Sequence, residues 1–197
     1  MGFGNRPKFR DELASFSADI RRAFESVPRD RFIPKELRKH SDDNLAIHLE
    51  EGSSISQPSM IAYMLEALKL ESGMKVLEIG SGCGYVLALL CELGIEATGV
   101  EIIESLAVES RDALKSLGYE AKALVGNAQA LEFDEKFDRI LFSAAVRDVP
   151  TWAFRLLEPG GFIVCPFGRE DSQEMVVMDS EKIKRTGIFC RFVPFVG

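Results

Sequence analysis

The residues Glu78-Ile79-Gly80-Ser81-Gly82-Cys83-Gly84 stand between an apolar run with strand character, KVLEI, and one with helical character, YVLALLCEL. Glycines in that setting let a backbone approach a nucleotide cofactor closely. Glu101 ends the next strand-like run, 21 residues after Gly80, where a carboxylate can accept two hydrogen bonds from ribose hydroxyls. Together these features point to a cofactor that contains adenosine. A dinucleotide loop reads G-x-G-x-x-G, whereas here the third glycine comes one residue early and an acid, Glu78, precedes the first. A carboxylate at that position repels phosphate and attracts ammonium. The spacing therefore favours S-adenosyl-L-methionine, whose amino-acid end carries an ammonium group, over a pyrophosphate cofactor.

The second group of reactive side chains is Gly52-Ser53-Ser54-Ile55-Ser56-Gln57-Pro58-Ser59. Pro58 suits the first turn of a helix, and Ser or Gln ahead of it can cap the free amides there. The alternative is that the hydroxyls face a ligand. Elsewhere the chain offers little for nucleophilic or metal chemistry. His40 and His48 are its two histidines, and Cys83, Cys91, Cys165 and Cys190 are widely spaced without a C-x-x-C pair. The histidines read as loop residues and the cysteines as reduced packing residues, and no metal site is expected.

The elements that must position these groups follow from periodicity. Leu13, Phe16, Ile20, Ala23, Phe24 and Val27 predict one amphipathic helix over residues 10 to 26, with Pro28 and Pro34 marking its end. A short polar helix is expected at residues 35 to 40, a loop at 41 to 57, and a helix at 59 to 69 with Ile61, Leu65 and Leu68 inward. From Lys75 onward strand and helix alternate. Helix 103 to 117 is closed by Gly118, further strands are expected at 121 to 125, 139 to 143 and 162 to 166, and a helix at 151 to 157 stops at Glu-Pro-Gly-Gly. MVVMD and GIFCRFVPF leave no room for a helix between them and predict an antiparallel hairpin. The expected fold is α/β: a Rossmann-like, mostly parallel sheet with a C-terminal antiparallel hairpin and an N-terminal helical extension. One domain is expected over residues 1–197, with residues 1–58 as the extension and 59–197 as the cofactor-binding core.

Composition narrows the classes further. The chain has 46% hydrophobic and 28% charged residues, a globular composition, and neither a membrane-length apolar run nor a secretory leader. A soluble, cytoplasmic monomer is expected. The formal charge of −7 argues against broad nucleic-acid binding, although residues 1 to 40 carry ten Lys/Arg against six Asp/Glu while the rest is acidic.

Six segments, VPRDRFIPKEL at 27 to 37, GSSISQP at 52 to 58, VLEIGSGCGY at 76 to 85, FDRILFSAAVRDVP at 137 to 150, LEPGGFIVCPFG at 157 to 168 and RFVPFVG at 191 to 197, together resemble the protein-L-isoaspartate (D-aspartate) O-methyltransferases. The match runs in order over about residues 20 to 197. The glycine loop and LEPGG are common to many methyltransferases, whereas GSSISQP and RFVPFVG are particular. The resemblance implies methylation of the free carboxylate of isoaspartyl residues in damaged peptides and proteins, giving an ester that closes to a succinimide. It assigns Ser56 as the active-site serine. It places Ser53, Ser54, Ile55, Glu78, Gly80, Ser81, Gly82, Glu101, Ile102, Asn127, Ala128 and Gln173 at the cofactor, and RFVPFVG against the substrate peptide.

This sequence departs from the family pattern in three places. Asn127 stands where the family has an acid near the adenine, Ser54 replaces a threonine, and Glu50 and Glu51 extend the segment before the serines by about two residues. Two other readings stay open at this level: methylation of RNA or a small metabolite, and a non-catalytic module that keeps the fold and binds the cofactor or a partner.

Overall fold

The protein is described here by a computed structural model covering residues 8–49 and 52–197, so the expectation for Glu50 and Glu51 lies outside the described residues. The N-terminal part contains α1 (Phe9–Leu13), α2 (Ala18–Ser26), 3-10 turns at Arg29–Phe32 and Lys35–His40, a two-residue antiparallel pair of β1 (Ile47–His48) with β2 (Ser54–Ile55), and α3 (Pro58–Leu68). The single helix expected over residues 10 to 26 is two. Ser15 donates its hydroxyl to the Glu12 carbonyl at 2.7 Å, and the Ser17 amide donates to the Glu66 carboxylate at 2.7 Å. These bonds compete with the helical ladder and turn the chain. The turn lets Phe9, Leu13 and Phe16 all bury.

The remainder alternates as the periodicity predicts: β3 (Lys75–Ile79), α4 (Tyr85–Glu92), β4 (Glu96–Glu101), α5 (Glu104–Leu117), β5 (Lys122–Val125), β6 (Phe137–Phe142), β7 (Leu157–Arg169), β8 (Ser172–Met178) and β9 (Ile183–Cys190). They form one seven-stranded sheet in the order β5-β4-β3-β6-β7-β8-β9. It is parallel from β5 to β7, with β8 and β9 added antiparallel. The connections run outward on one side of β3 and then cross to the other at β6. That reversal opens a crevice at the carboxyl ends of the central strands, where α/β sheets hold their ligands.

Alternation along the strands divides the core. Val76, Leu141, Val164 and Met175 face the N-terminal helices, while Leu77, Ile79, Ile140, Phe142, Ile163 and Val176 face the opposite layer. Each fully buried side chain of this size contributes about 1.5–3 kcal/mol. On the first face, Phe24 and Phe32 both pack on Tyr85, with ring centroids 6.2 and 5.5 Å away. Tyr85 directly follows the glycine loop, so these rings fix the N-terminal segment over it.

Two expectations are corrected. The helix expected at 151 to 157 is a 3-10 turn, Ala153–Leu156, because Leu157 already pairs with Phe137 as the start of β7. Between that pair and Phe162, opposite Arg139, the Glu-Pro-Gly-Gly residues bulge out of register. The hairpin also ends before RFVPF. β9 stops at Cys190, and the tail crosses to the segment after β6, where Ala145 accepts the Phe195 amide and donates to the Val193 carbonyl, both at 2.8 Å. Phe195 then packs on Phe142 and Trp152. All four cysteines are free thiols.

Candidate active site

The glycine loop is fixed from below by the sheet. Gly80 and Ser81 both donate their amides to the Val100 carbonyl of the neighbouring strand, at 2.8 and 3.1 Å. Gly84, at φ +84°, caps α4, and a Cβ there would collide with the Ser110 hydroxyl of α5. Gly82, at φ +51°, has nothing within 4 Å of where a Cβ would stand. One glycine thus lets two helices close together, and the other leaves backbone bare toward a ligand. Glu101 completes the loop: its Oε2 accepts the Gly82 amide at 2.8 Å and its Oε1 the Ile103 amide at 3.0 Å. Each oxygen keeps further acceptor capacity, and both are held at a fixed angle.

Above these residues opens a cleft of about 320 Å³. Gly80 and Gly82 line it together with Glu101 and Ile102, Gly126 and Ala128 contribute another wall, and Ser53 and Ser54 reach it from the N-terminal part. Val193 to Val196 of the tail close the remaining side. Ile102 is 47% exposed, an apolar side chain left at the surface of the cleft.

Beneath the cleft Glu78 is buried, with Oε1 accepting the Ser143 hydroxyl at 2.6 Å and Oε2 without any partner. Burial, reinforced slightly by the Glu101 charge and opposed by the Ser143 hydrogen bond, raises its pKa to about 8. A buried carboxyl with a vacant oxygen is costly unless a donor arrives from the cleft, and Ser143 lies on the cleft wall directly beside it.

The serine segment is positioned from outside the sheet. The buried guanidinium of Arg29 donates to the backbone carbonyls of Ser41 at 3.1 Å, Asp43 at 3.3 Å, Leu45 at 2.9 Å and Ser56 at 3.2 Å. Four carbonyls from two stretches of chain are gathered on one cation. Asn44 does the capping that the serines were expected to do: its Oδ1 accepts the Ser59 amide at 3.1 Å, while its Nδ2 donates to Glu12 at 2.8 Å. Neither Ser53, Ser54 nor Ser56 caps α3, and Gln57 at the N-cap makes no capping bond. Ser56 is half-buried, and no hydrogen bond involves its hydroxyl among the described residues. Ser59 is buried and accepts from the Gln57 side-chain amide at 2.8 Å.

The structure therefore brings Ser53, Ser54, Gly80, Gly82, Glu101, Ile102 and Ala128 to one cleft and sets Glu78 below it. Others of the expected set stand elsewhere. Ile55 is in the core against the N-terminal helices, and Ser81 points inward with its hydroxyl unpartnered. Asn127 uses its side-chain oxygen on the Gln129 amide at 2.9 Å, beside the cleft wall that Gly126 and Ala128 form. Gln173 is buried under the tail, donating to the Phe192 carbonyl at 3.1 Å and accepting the Phe192 amide at 2.6 Å. Its role is to fasten the segment that walls the cleft. Arg29, Asn44 and Ser143 were not singled out from the sequence. Arg29 lies in the quoted segment VPRDRFIPKEL, where nothing local distinguishes it from Arg31 two residues later.

Comparison with known proteins gives a consistent result. The profile of the protein-L-isoaspartate(D-aspartate) O-methyltransferase family matches residues 8–197. The protein-L-isoaspartate O-methyltransferase of Rhodopseudomonas palustris (strain BisB5) is 36% identical over 181 residues, covering 89% of this chain and 83% of its own. That of Dictyoglomus thermophilum is 36% identical over 186 residues, covering 92% and 84%. Among solved structures, a Plasmodium falciparum chain assigned as a protein-L-isoaspartate O-methyltransferase, in complex with S-adenosyl-L-homocysteine, superposes with a TM-score of 0.80. It covers 97% of this chain and 99% of its own at 19% identity, a likeness of fold.

Proposed function

The chain belongs to the protein-L-isoaspartate(D-aspartate) O-methyltransferase family, and from that premise we propose that it methylates the free carboxylate of isoaspartyl residues in damaged proteins, with S-adenosyl-L-methionine as donor. The observation that carries this reading is the meeting of Gly52, Ser53 and Ser54, two residues short of Ser56, with the glycine loop, Glu101 and the tail around one cleft.

The residues fit the donor. Bare backbone at Gly82 leaves room for its amino-acid end, and the vacant Oε2 of Glu78 below suits an ammonium or a water that it holds. Glu101 at the other side offers two positioned oxygens for ribose hydroxyls, and Ile102 with Ala128 supplies apolar surface for a base. When bound, S-adenosyl-L-methionine supplies an electrophilic methyl group.

The protein's own task is positioning. A carboxylate is already ionised near neutral pH, so no strong general base is required. Holding two reactants in line supplies on the order of 7–11 kcal/mol, far more than proton transfer could add here. The unengaged hydroxyl of Ser56 donates to the incoming carboxylate, and the positive potential at the start of α3 favours the anion. Val193 to Val196 and Ile102 keep water from the reacting carbon. The basic head supports this reading over RNA, because its Arg29 is buried on backbone carbonyls and its Lys8 is paired with Asp43 at 2.6 Å.

Transfer of a tritiated methyl group to an isoaspartyl peptide, compared with the same peptide bearing ordinary aspartate, tests the proposal. Labelling confined to the isoaspartyl peptide is expected. Equal labelling of both, or of neither, overturns it.

A further inference from the structure

Beyond the tail, on the side away from the glycine loop, lies a second hollow of about 590 Å³ lined by Arg147, Arg169, Arg191, Glu170, Asp171 and Cys190. Its three arginines come from separate segments. Arg147 follows β6, Arg169 ends β7 and Arg191 begins the tail, and the Gly168 amide donating to the Val146 carbonyl at 2.9 Å draws the first two together. No carboxylate among the described residues pairs with Arg147 or Arg169, and Arg191 approaches Glu170 only to 3.9 Å between highly exposed side chains. Glu170 and Asp171 sit in the turn between β7 and β8, leaving the arginines in excess within a chain of net charge −7.

The hollow neighbours the cleft. A small pocket lined in part by Arg147, Glu170, Gln173 and Pro194 lies between them, sharing Arg147 and Glu170 with the hollow and Pro194 with the cleft. The tail is thus a short partition, with Arg191 on one side and Val193 to Val196 on the other.

We propose that this hollow is a substrate subsite for acidic side chains flanking the methylated residue, with Arg147, Arg169 and Arg191 as its specificity determinants. The proposal rests on the reading of the cleft as a site of carboxylate methylation. Extended chain advances about 3.3 Å per residue, so a peptide with its isoaspartyl side chain in the cleft sets positions about two or three residues away over the hollow. Guanidinium groups receive carboxylates there in forked pairs, and as exposed charges they act mainly on encounter and on salt dependence.

The test uses three isoaspartyl peptides that differ in having glutamates, lysines or alanines at those flanking positions. At low salt the wild type is expected to favour the glutamate peptide over the lysine peptide by roughly tenfold in kcat/KM, from about threefold per exposed pair. Arg147→Ala with Arg169→Ala reduces that ratio to within about twofold, leaving the alanine peptide and the Tm unchanged. Glu170→Gln acts in the opposite direction and raises the ratio. A preference that survives the double substitution, or a wild type that does not discriminate, overturns the proposal. Fluorescence anisotropy of the labelled glutamate and lysine peptides on wild type and double variant measures the hollow without turnover. Failure of all three peptides to be methylated defeats the methylation reading, and the anisotropy ratio still decides the subsite.

Discussion

The two walls of the cleft are held by different means. The glycine loop and Glu101 are continuous with β3 and β4, and their amides are bonded to the adjacent strand within about 20 residues of sequence. The serine segment belongs to no part of the main sheet and is gathered on Arg29, 27 residues before Ser56. A wall made of sheet backbone tolerates change in most side chains, whereas a wall hung on one buried cation depends on that side chain. On the proposed reading, the first holds a donor of constant shape, and the second presents hydroxyls to acceptors that arrive on many different proteins.

The largest expected break in this contrast comes from Arg29→Ala. Losing four charge-assisted bonds to buried carbonyls costs roughly 3–5 kcal/mol, concentrated in residues 41 to 57. Hydrogen exchange should accelerate there and stay slow in β3, β4 and β6; uniform acceleration would show that both walls share one support. Ser56→Ala follows, with turnover expected to fall on the order of a hundredfold, or about 2.7 kcal/mol, while the Tm moves by less than about 2 °C because the hydroxyl caps nothing. Parallel losses of activity and stability would make Ser56 structural.

Glu78→Gln sharpens the contrast from beneath the first wall. In the folded protein its pKa is about 8, against an ordinary value of 4.5. Between those values the folded state holds a proton that the unfolded chain releases, so wild-type stability falls as pH rises through that window and levels off above it. The variant lacks this dependence and should gain roughly 2 kcal/mol on the wild type from about pH 5.5 to 7.5 by thermal denaturation. A constant difference across pH would mean that Glu78 is charged in the folded state. The smallest effect is expected for Glu101→Gln, where an NH2 donor replaces one carboxylate oxygen and leaves either the Gly82 or the Ile103 amide without its acceptor. S-adenosyl-L-homocysteine should bind about tenfold more weakly by calorimetry, and the unpaired amide should lower the Tm by a few degrees.

The same contrast explains what was legible in the sequence. The succession of strands and helices along the chain, the glycine turn and Glu101 follow from period-two alternation, glycine spacing and a fixed strand length, all of which act over short distances. The break between α1 and α2 was missed because Phe16 continues the helical stripe. Ser15 and Ser17 overrule it through bonds whose strength periodicity cannot weigh. Asn44 was missed as the cap of α3 because it lies 15 residues ahead of the amide it serves. Gln173 was expected at the cofactor, but its partner is backbone 19 residues later, and nothing local distinguishes a glutamine that fastens a tail from one that faces a ligand. The serines themselves were visible as a cluster. Their freedom from capping followed only once Asn44 was in place.

The partition formed by Val193 to Val196 is synthesised after every other described residue that lines the cleft. A nascent chain that has emerged only as far as β9 can assemble the glycine turn yet lacks the last side of the chamber. Capacity to modify other proteins therefore waits on these residues docking across Ala145, however early the turn has formed.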